Sequence, residues 1–277
     1  MRLFRPKPPS EVQDDGHSAL AMRRLLAGRR LGAAPGERVF AIGDIHGRLD
    51  LFRSILRLIE EDVEDREECP TRVVILGDFI DRGPDSAALI QAFRHIQGHS
   101  DRFTVLLGNH EALLLESAAG VGAAQKLWLR VGGEATLRSF GMDVEAMPKA
   151  DPSLFSRQLI EHIGRDVLDW IRTLPLFDRS GDYFFCHAGV RPGVPLDRQR
   201  REDLLWIRQE FLGSPRWHGA MIVHGHSETD QGTADHNRIN IDTGAYRTDV
   251  LTALGVEGGS RWFISTQPPT PPATINN

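Results

Sequence analysis

The sequence predicts an α/β fold, and two patterns predict it. Short apolar runs that read as strands alternate with longer stretches whose apolar residues recur at helical spacing. Three of those strands end in a glycine followed at once by polar residues. In open α/β sheets ligands collect at the carboxyl ends of strands, so three ends decorated alike are expected to converge on one site.

Arg38 to Ile42 reads as the first strand, and Gly43-Asp44-Ile45-His46-Gly47 follows it. Side chains alternate on extended backbone, so Asp44 and His46 can point one way while Ile45 enters the core. Leu49 to Val63 has a helical apolar face through Leu51, Phe52, Ile55, Leu56, Leu58 and Ile59. The strand Arg72 to Leu76 leads into Gly77-Asp78-Phe79-Ile80-Asp81-Arg82-Gly83. Two carboxylates and a guanidinium at the mouth of a buried strand build no core, so they are expected to serve the site. Pro84 suits a first helical turn, and Ser86 to Ile96 continues as a helix. Arg102 to Leu107 is the third strand, ending in Gly108-Asn109-His110-Glu111.

Glu111 to Ile171 is helical by composition and carries no assigned chemistry; Gly132-Gly133-Glu134-Ala135-Thr136 within it reads as a turn or helix entry. Asp182 to Cys186 is a strand, with His187 at its end. Neighbours on a strand face opposite ways, so His187 is the ligand candidate and Cys186 a small core residue. Leu204-Leu205-Trp206-Ile207-Arg208 should pack its apolar part and leave Arg208 at its end. Met221 to Val223 leads into His224-Gly225-His226-Ser227, where spacing does not choose between the histidines. Arg238 to Ile241, Asp249 to Val256 and Arg261 to Ser265 complete the strands, and Asp242-Thr243-Gly244 reads as a structural turn. His17, His95, His99, His162, His218 and His236 have no companion motif and read as surface or core.

A chain of 277 residues that is 40% hydrophobic can bury a substantial core. The expected domain is residues 36–266, between an extension over 1–35 and a disordered tail over 267–277 that is rich in Pro, Thr and Asn. Within the extension, Ser18 to Leu31 reads as a peripheral helix. The net charge of −5 argues against general nucleic-acid binding, so an anionic substrate must meet a local site. Cys69 and Cys186 form neither a disulfide framework nor a CxxC pair, which fits a reducing compartment. No apolar run approaches the roughly 18 residues of a membrane span, and no apolar segment follows the basic N-terminus, so a cytoplasmic location is expected.

Asp44, His46, Asp78, Asn109, His187 and one or both of His224 and His226 form a mixed oxygen and nitrogen donor set. Such a set suits Mn, Fe or Zn better than Ca, and it lacks the thiolates of a structural zinc site. The donors are too many for one tetrahedral ion and suit two ions sharing a carboxylate, roughly 3.5–4 Å apart, a pairing that clamps phosphoryl oxygens and activates water. Arg82 and Arg208 offer the bidentate donors a phosphate needs.

GDIHG, GDFIDRG and GNHE, followed by His187 and then HGHS, resemble the ordered signature of the PPP family of metallophosphatases. GGEATLRSFG, FFCHAGVRPG, DLLWIR and INIDTGAY are similar to its bacterial and phage-like serine/threonine phosphatase branch. The resemblance implies a calcineurin-like metallophosphoesterase β-sandwich flanked by helices, with the site at the strand ends. It implies Asp44 and His46 on a first ion, Asp78 bridging, and Asn109, His187 and His226 on a second, with Mn²⁺ expected first and Fe or Zn possible. It gives His110 the general acid's role, with Asp81 orienting its imidazole, and gives Arg82, Arg208 and Asn109 the substrate phosphate. A hydroxide bridging the metals would attack in line, with no phosphoenzyme. His224 is left in support. The expected function is hydrolysis of phosphoserine and phosphothreonine monoesters, with a phosphoprotein or phosphopeptide as substrate. The alternative within the family is a symmetrical dinucleoside tetraphosphatase. Those enzymes commonly lack the acid at Asp81 and have Asp at the position of Glu111, so both residues favour the phosphoprotein branch. A catalytically weak phosphate-sensing module would miss a ligand or the acid, and none is missing.

Overall fold

The structure is a computed structural model and describes residues 31–266. Its strands are β1 (Arg38–Ile42), β2 (Thr71–Ile75), β3 (Phe103–Val105), β4 (Phe177–Ser180), β5 (Tyr183–Cys186), β6 (Met221–His224), β7 (Thr233–Ala234), β8 (Arg238–Asn240), β9 (Thr252–Glu257) and β10 (Ser260–Ser265). They form two sheets, ordered β10-β9-β1-β2-β3 and β4-β5-β6-β8-β7. Each sheet has a parallel centre, β1-β2-β3 in one and β5-β6-β8 in the other, with antiparallel strands beyond it.

Side-chain alternation turns these strands into layers. Val39 and Ala41 of β1 join Tyr183 and Phe185 of β5 and Val223 of β6 in the core between the sheets. Phe40 and Ile42 face the other way, into the core beneath the helices. Phe184, Cys186 and Ile222 build a third core on the far side of the second sheet. The arrangement is the expected helix-flanked sandwich.

The helices are α1 (Leu49–Glu64), α2 (Ser86–His99), α3 (Asn109–Ala118), α4 (Gly122–Trp128), α5 (Glu134–Ser139), α6 (Pro152–Ile163), α7 (Arg165–Thr173), α8 (Arg201–Trp206), α9 (Gln209–Leu212) and α10 (Ala245–Thr248). Helix α1 buries Leu51, Phe52, Ile55 and Ile59, and Phe52 meets Phe93 of α2 edge to face at 5.0 Å. The tract from 111 to 171 divides into several helices, with a π turn over Leu129–Gly133 in which Gly132 takes φ 124°.

Two expectations shift in detail, and β4 is a strand the sequence did not mark. β3 is half the expected length, because the chain leaves the ladder early to bring Gly108 against Asp78. β9 starts at Thr252 because Asp249, at φ 60°, still ends α10. β4 escapes the apolar pattern because it is an edge strand with exposed positions.

Of the expected extension, residues 31–35 are described, and they are tied to the sheets. The Gly32 N–H donates to Asp182 Oδ2 at 3.1 Å, Ala34 N–H to Ser180 Oγ at 2.9 Å and Ala33 N–H to the Gly258 carbonyl at 2.9 Å. The expected Ser18–Leu31 helix, Leu31 apart, and the tail from 267 lie outside the described residues. Among the described residues, no helix is long and apolar enough to cross a membrane.

Candidate metal centre

The carboxyl ends of β1, β2 and β6 and the start of α3 meet at one cavity of about 330 Å³, with His187 at the end of β5 buried behind it. Asp44, His46, Asp78, Arg82, Asn109, His110, Arg208 and His226 are among its lining residues. Side-chain atoms of His46, Asp78 and His110 lie within 4.8 Å of one another, and so do those of Asp78, His187 and His226. Asp78 belongs to both triads, the position expected of a bridging carboxylate. Asp44 belongs to neither; it stands in the same cavity with Oδ1 buried and unpartnered. Asn109 joins the second triad through Oδ1, 2.8 Å from His187 Nε2.

Backbone geometry at these turns is strained. Among the described residues, six other than glycine have positive φ, and five of them are His46, Asp78, Asp81, Arg82 and His226. The left-handed conformation costs a residue with a Cβ about a kilocalorie or more, and such strain concentrates where side-chain aim matters. It also settles the two histidines of β6 and its exit. Alternation sends His224 to the far core, where its ring meets Phe211 edge-on at 5.0 Å. His226 comes two residues later, past the strand's end at φ 64°, and turns into the cavity, donating its backbone N–H to Asp44 Oδ2 at 3.1 Å.

The donor set fits divalent metal ions. His46 donates Nδ1–H to the Ile80 carbonyl at 2.8 Å, and His187 donates Nδ1–H to the Leu76 carbonyl at 3.0 Å. Each bond fixes the tautomer and leaves an Nε2 lone pair facing oxygen: Asp78 at 3.7 and 3.5 Å, and Asn109 Oδ1 for His187. Lone pairs facing lone pairs need a cation between them. His226 Nε2 is likewise buried without a partner.

The electrostatics follow from burial and crowding. Burial raises the Asp44 carboxyl well above its usual range, and Asp242 and Asp78 add to it. Burial lowers His46, His187 and His226. It works against the Asp78 charge too, but His187, His110, His46 and His226 outweigh it and hold that carboxylate below its usual range. Burial thus favours the neutral form of these three imidazoles, the form in which a histidine binds a metal; the charge that holds Asp78 ionised is then the cation's part.

His110 sits on the first triad with its Nδ1 on Asp81 Oδ2 at 2.6 Å and its Nε2 3.7 Å from Asp78. Burial lowers its pKa, yet Asp78 and Asp81 together raise it above the ordinary value. Asp81 is fully committed: Trp128 Nε1–H donates to Oδ2 at 2.8 Å and Thr136 Oγ1 to Oδ1 at 2.6 Å. Arg82 donates its backbone N–H to Gly132, lies over the Tyr246 ring at 4.4 Å and reaches Glu228 at 3.4 Å. Trp128, Val131, Thr136, Trp206, Glu228, Asp242 and Tyr246 thus belong to the site or hold it, although the sequence marked none of them. The stretch over 132–136 carries chemistry indirectly, by holding Asp81 and Arg82. Asp242, read as a structural turn, lines the cavity, and burial pushes its carboxyl up to about 7. Cys186 is buried in the third core and burial raises its thiol pKa, so it offers no nucleophile.

Glu111 caps α3 from within. Its oxygens accept the backbone N–H groups of Asp78, Gly108, Phe79 and Ile80 at 2.9–3.2 Å. Burial and the Asp78 charge push its carboxyl up to about 8, against the pull of those N–H groups.

Among curated proteins, the chain is 32% identical over 154 residues to a symmetrical bis(5'-nucleosyl)-tetraphosphatase of Methylococcus capsulatus, covering 56% of this chain and 44% of that protein. It is 28% identical over 218 residues to the symmetrical bis(5'-nucleosyl)-tetraphosphatase of Vibrio cholerae serotype O1, covering 78% and 66%. The matches thus span about half to two-thirds of these relatives' length. A crystal structure of a protein assigned as a diadenosine tetraphosphatase superposes with a TM-score of 0.57 at 21% identity, over 84% of this chain and 98% of that one, which shows the shared fold. These relatives overturn the expected phosphoprotein-phosphatase function. The argument from Asp81 and Glu111 failed for a physical reason: Asp81 faces His110, Trp128 and Thr136, and Glu111 faces backbone. Both shape the site from behind and report little about what enters it. The family model of the calcineurin-like phosphoesterases matches residues 37–255, which take in strands of both sheets and every residue of the metal centre, and the chain belongs to that family.

Proposed function

We propose that the protein is a metal-dependent hydrolase of dinucleoside tetraphosphates, cleaving them symmetrically to two nucleoside diphosphates. The supporting observation is one carboxylate, Asp78, common to two donor triads in a cavity that Arg82 and Arg208 also line. The substrate class is taken from the named activity of the curated relatives.

Asp44, His46 and Asp78 would hold one divalent ion and Asp78, Asn109, His187 and His226 a second, with Mn²⁺ first among candidates and Fe or Zn also compatible with the donors. Two bound ions would neutralise phosphoryl charge and make water acidic enough to supply hydroxide near neutral pH. Arg82 and Arg208 grip the non-bridging oxygens of the polyphosphate, with Asn109 beside them. Tyr246 and Glu228 fix the Arg82 guanidinium. His110 acts as the acid in its imidazolium form: Nδ1–H donates to Asp81 Oδ2, which orients the ring, and Nε2–H gives its proton to the departing oxygen.

The test is turnover after chelation and after restoring Mn²⁺, with diadenosine tetraphosphate and a phosphoserine peptide at matched concentration. The expected result is metal-dependent release of ADP as the sole nucleotide product, with little phosphate from the peptide. ATP plus AMP as products, or preference for the peptide, would refute the reading.

A further inference from the structure

All five tryptophans lie in described residues, and only Trp206 is exposed, at 40%. It is also on the wall of the metal-centre cavity, its ring edge-on to His226 at 6.2 Å. Exposure of so large an apolar surface is unfavourable unless something covers it. Its backbone is held firmly. Leu205 and Ile207 on either side of it are buried, the Leu204 carbonyl accepts the Ala188 N–H at 2.8 Å, and Arg191 grips the buried Asp203 with contacts of 2.6–2.9 Å. These bonds lock α8 to the loop that carries His187, so the backbone that bears the indole is fixed relative to the second triad.

The cavity volume of about 330 Å³ is at the small end of ligand pockets. It can enclose phosphates at the metal centre but not two nucleosides as well, which must lie at its edge. An exposed aromatic face at that edge, borne on a fixed backbone, offers a base its π surface in a sequence-tolerant way. Arg208, two residues on, lines the same cavity, where it would meet the phosphates of a nucleotide whose base lay on the indole.

We propose that Trp206 is the stacking platform for one nucleobase of the substrate and so sets the preference for nucleotides over bare phosphate chains. The inference rests on the dinucleotide reading above. It makes Trp206 a specificity residue: it touches the base, and neither bonds the reacting phosphates nor holds metal.

The experiment measures binding of ADP and of inorganic pyrophosphate to the Mn²⁺-loaded full chain by calorimetry, in the wild type, Trp206→Phe and Trp206→Ala. Stacking of one base predicts that Trp206→Ala weakens ADP about tenfold, leaves pyrophosphate within about twofold, and that Trp206→Phe retains most of the ADP affinity. Equal ADP affinity in wild type and Trp206→Ala, or a parallel loss for pyrophosphate, would overturn the proposal; so would a wild type that binds ADP no better than pyrophosphate. Metal content, measured on each variant, identifies a parallel loss that comes from a damaged centre. Failure of the dinucleotide reading shows separately, in wild-type turnover, whatever the binding of ADP.

Discussion

His110 is the residue whose role depends most on the bond being broken. Its Nε2 lies 3.7 Å from the shared Asp78 carboxylate and 3.4 Å from Arg82, while Asp81 fixes Nδ1. A serine alkoxide leaving group needs a proton almost fully transferred, and a positioned acid contributes about 10²–10⁴ in such a reaction. A nucleoside diphosphate leaves as a stabilised anion and needs far less. His110→Asn is therefore expected to keep both metal ions and to slow a simple alkyl phosphate by about two orders of magnitude or more, with a clearly smaller effect on diadenosine tetraphosphate. Metal analysis with kcat on both substrates checks this. Loss of metal would instead place His110 among the ligands, where the first triad's geometry already brings it close.

At the scale of elements, β6 and the loop before it pack two histidines against α9, away from the cavity. His224 and His218 meet the Phe211 ring from two directions, at 5.0 and 5.5 Å, and each has an Nε2 buried without a partner. Burial lowers both imidazoles to about 4. Their folded pKa lies below the unfolded value of 6.5, so the stability they contribute is full above pH 6.5 and is lost as pH falls from there toward about 4. Urea unfolding of metal-free protein between about pH 7.5 and about pH 5 should show that loss, and His218→Gln should lessen it by about 1–2 kcal/mol, the part-exposed position reducing the full effect. An unchanged acid loss in the variant would assign it to His224 and the metal-centre histidines.

The same elements show which features a sequence displays. Strand ends did: a glycine followed by Asp44, Asp78 or Asn109 states local chain geometry, and alternation separated Cys186 from His187 correctly. Side chains that act across the fold did not. Trp128 and Thr136 are 47 and 55 residues from Asp81, and nothing local marks them as its partners. Asp242 looks like any turn acid until the chain after β8 brings it near Asp44, whose cost of ionisation it raises. Spacing could not choose between His224 and His226, which share a face for as long as the strand runs; the resemblance chose His226, and the two part because β6 ends at His224 and His226 lies beyond it at φ 64°.

For the molecule as a whole, the site exists only where two sheets touch. Asp44 leaves the first sheet, His187 and His226 leave the second, and glycines at the seam let them approach. A Cβ on Gly43 would lie 2.3 Å from the Ile241 carbonyl oxygen, across the seam, and one on Gly225 would lie 2.0 Å from Asp44 Oδ1. Neither obstacle is a flexible side-chain end: one is backbone and the other a buried carboxylate that the Asp44–His226 contact holds in place. Gly43→Ala is therefore expected to push the sheets apart at their carboxyl ends, lowering stability by about 1–3 kcal/mol and removing metal with it. The contrast is Gly98→Ala in α2, where an added Cβ meets nothing within 4 Å. There the gain in helix propensity should stabilise by roughly 0.5–1 kcal/mol and leave the centre intact. Urea unfolding and metal content measured on both variants separate a seam that positions ligands from one that merely packs: if Gly43→Ala loses stability yet binds its full complement of metal, the centre is built by each sheet alone and not by their contact.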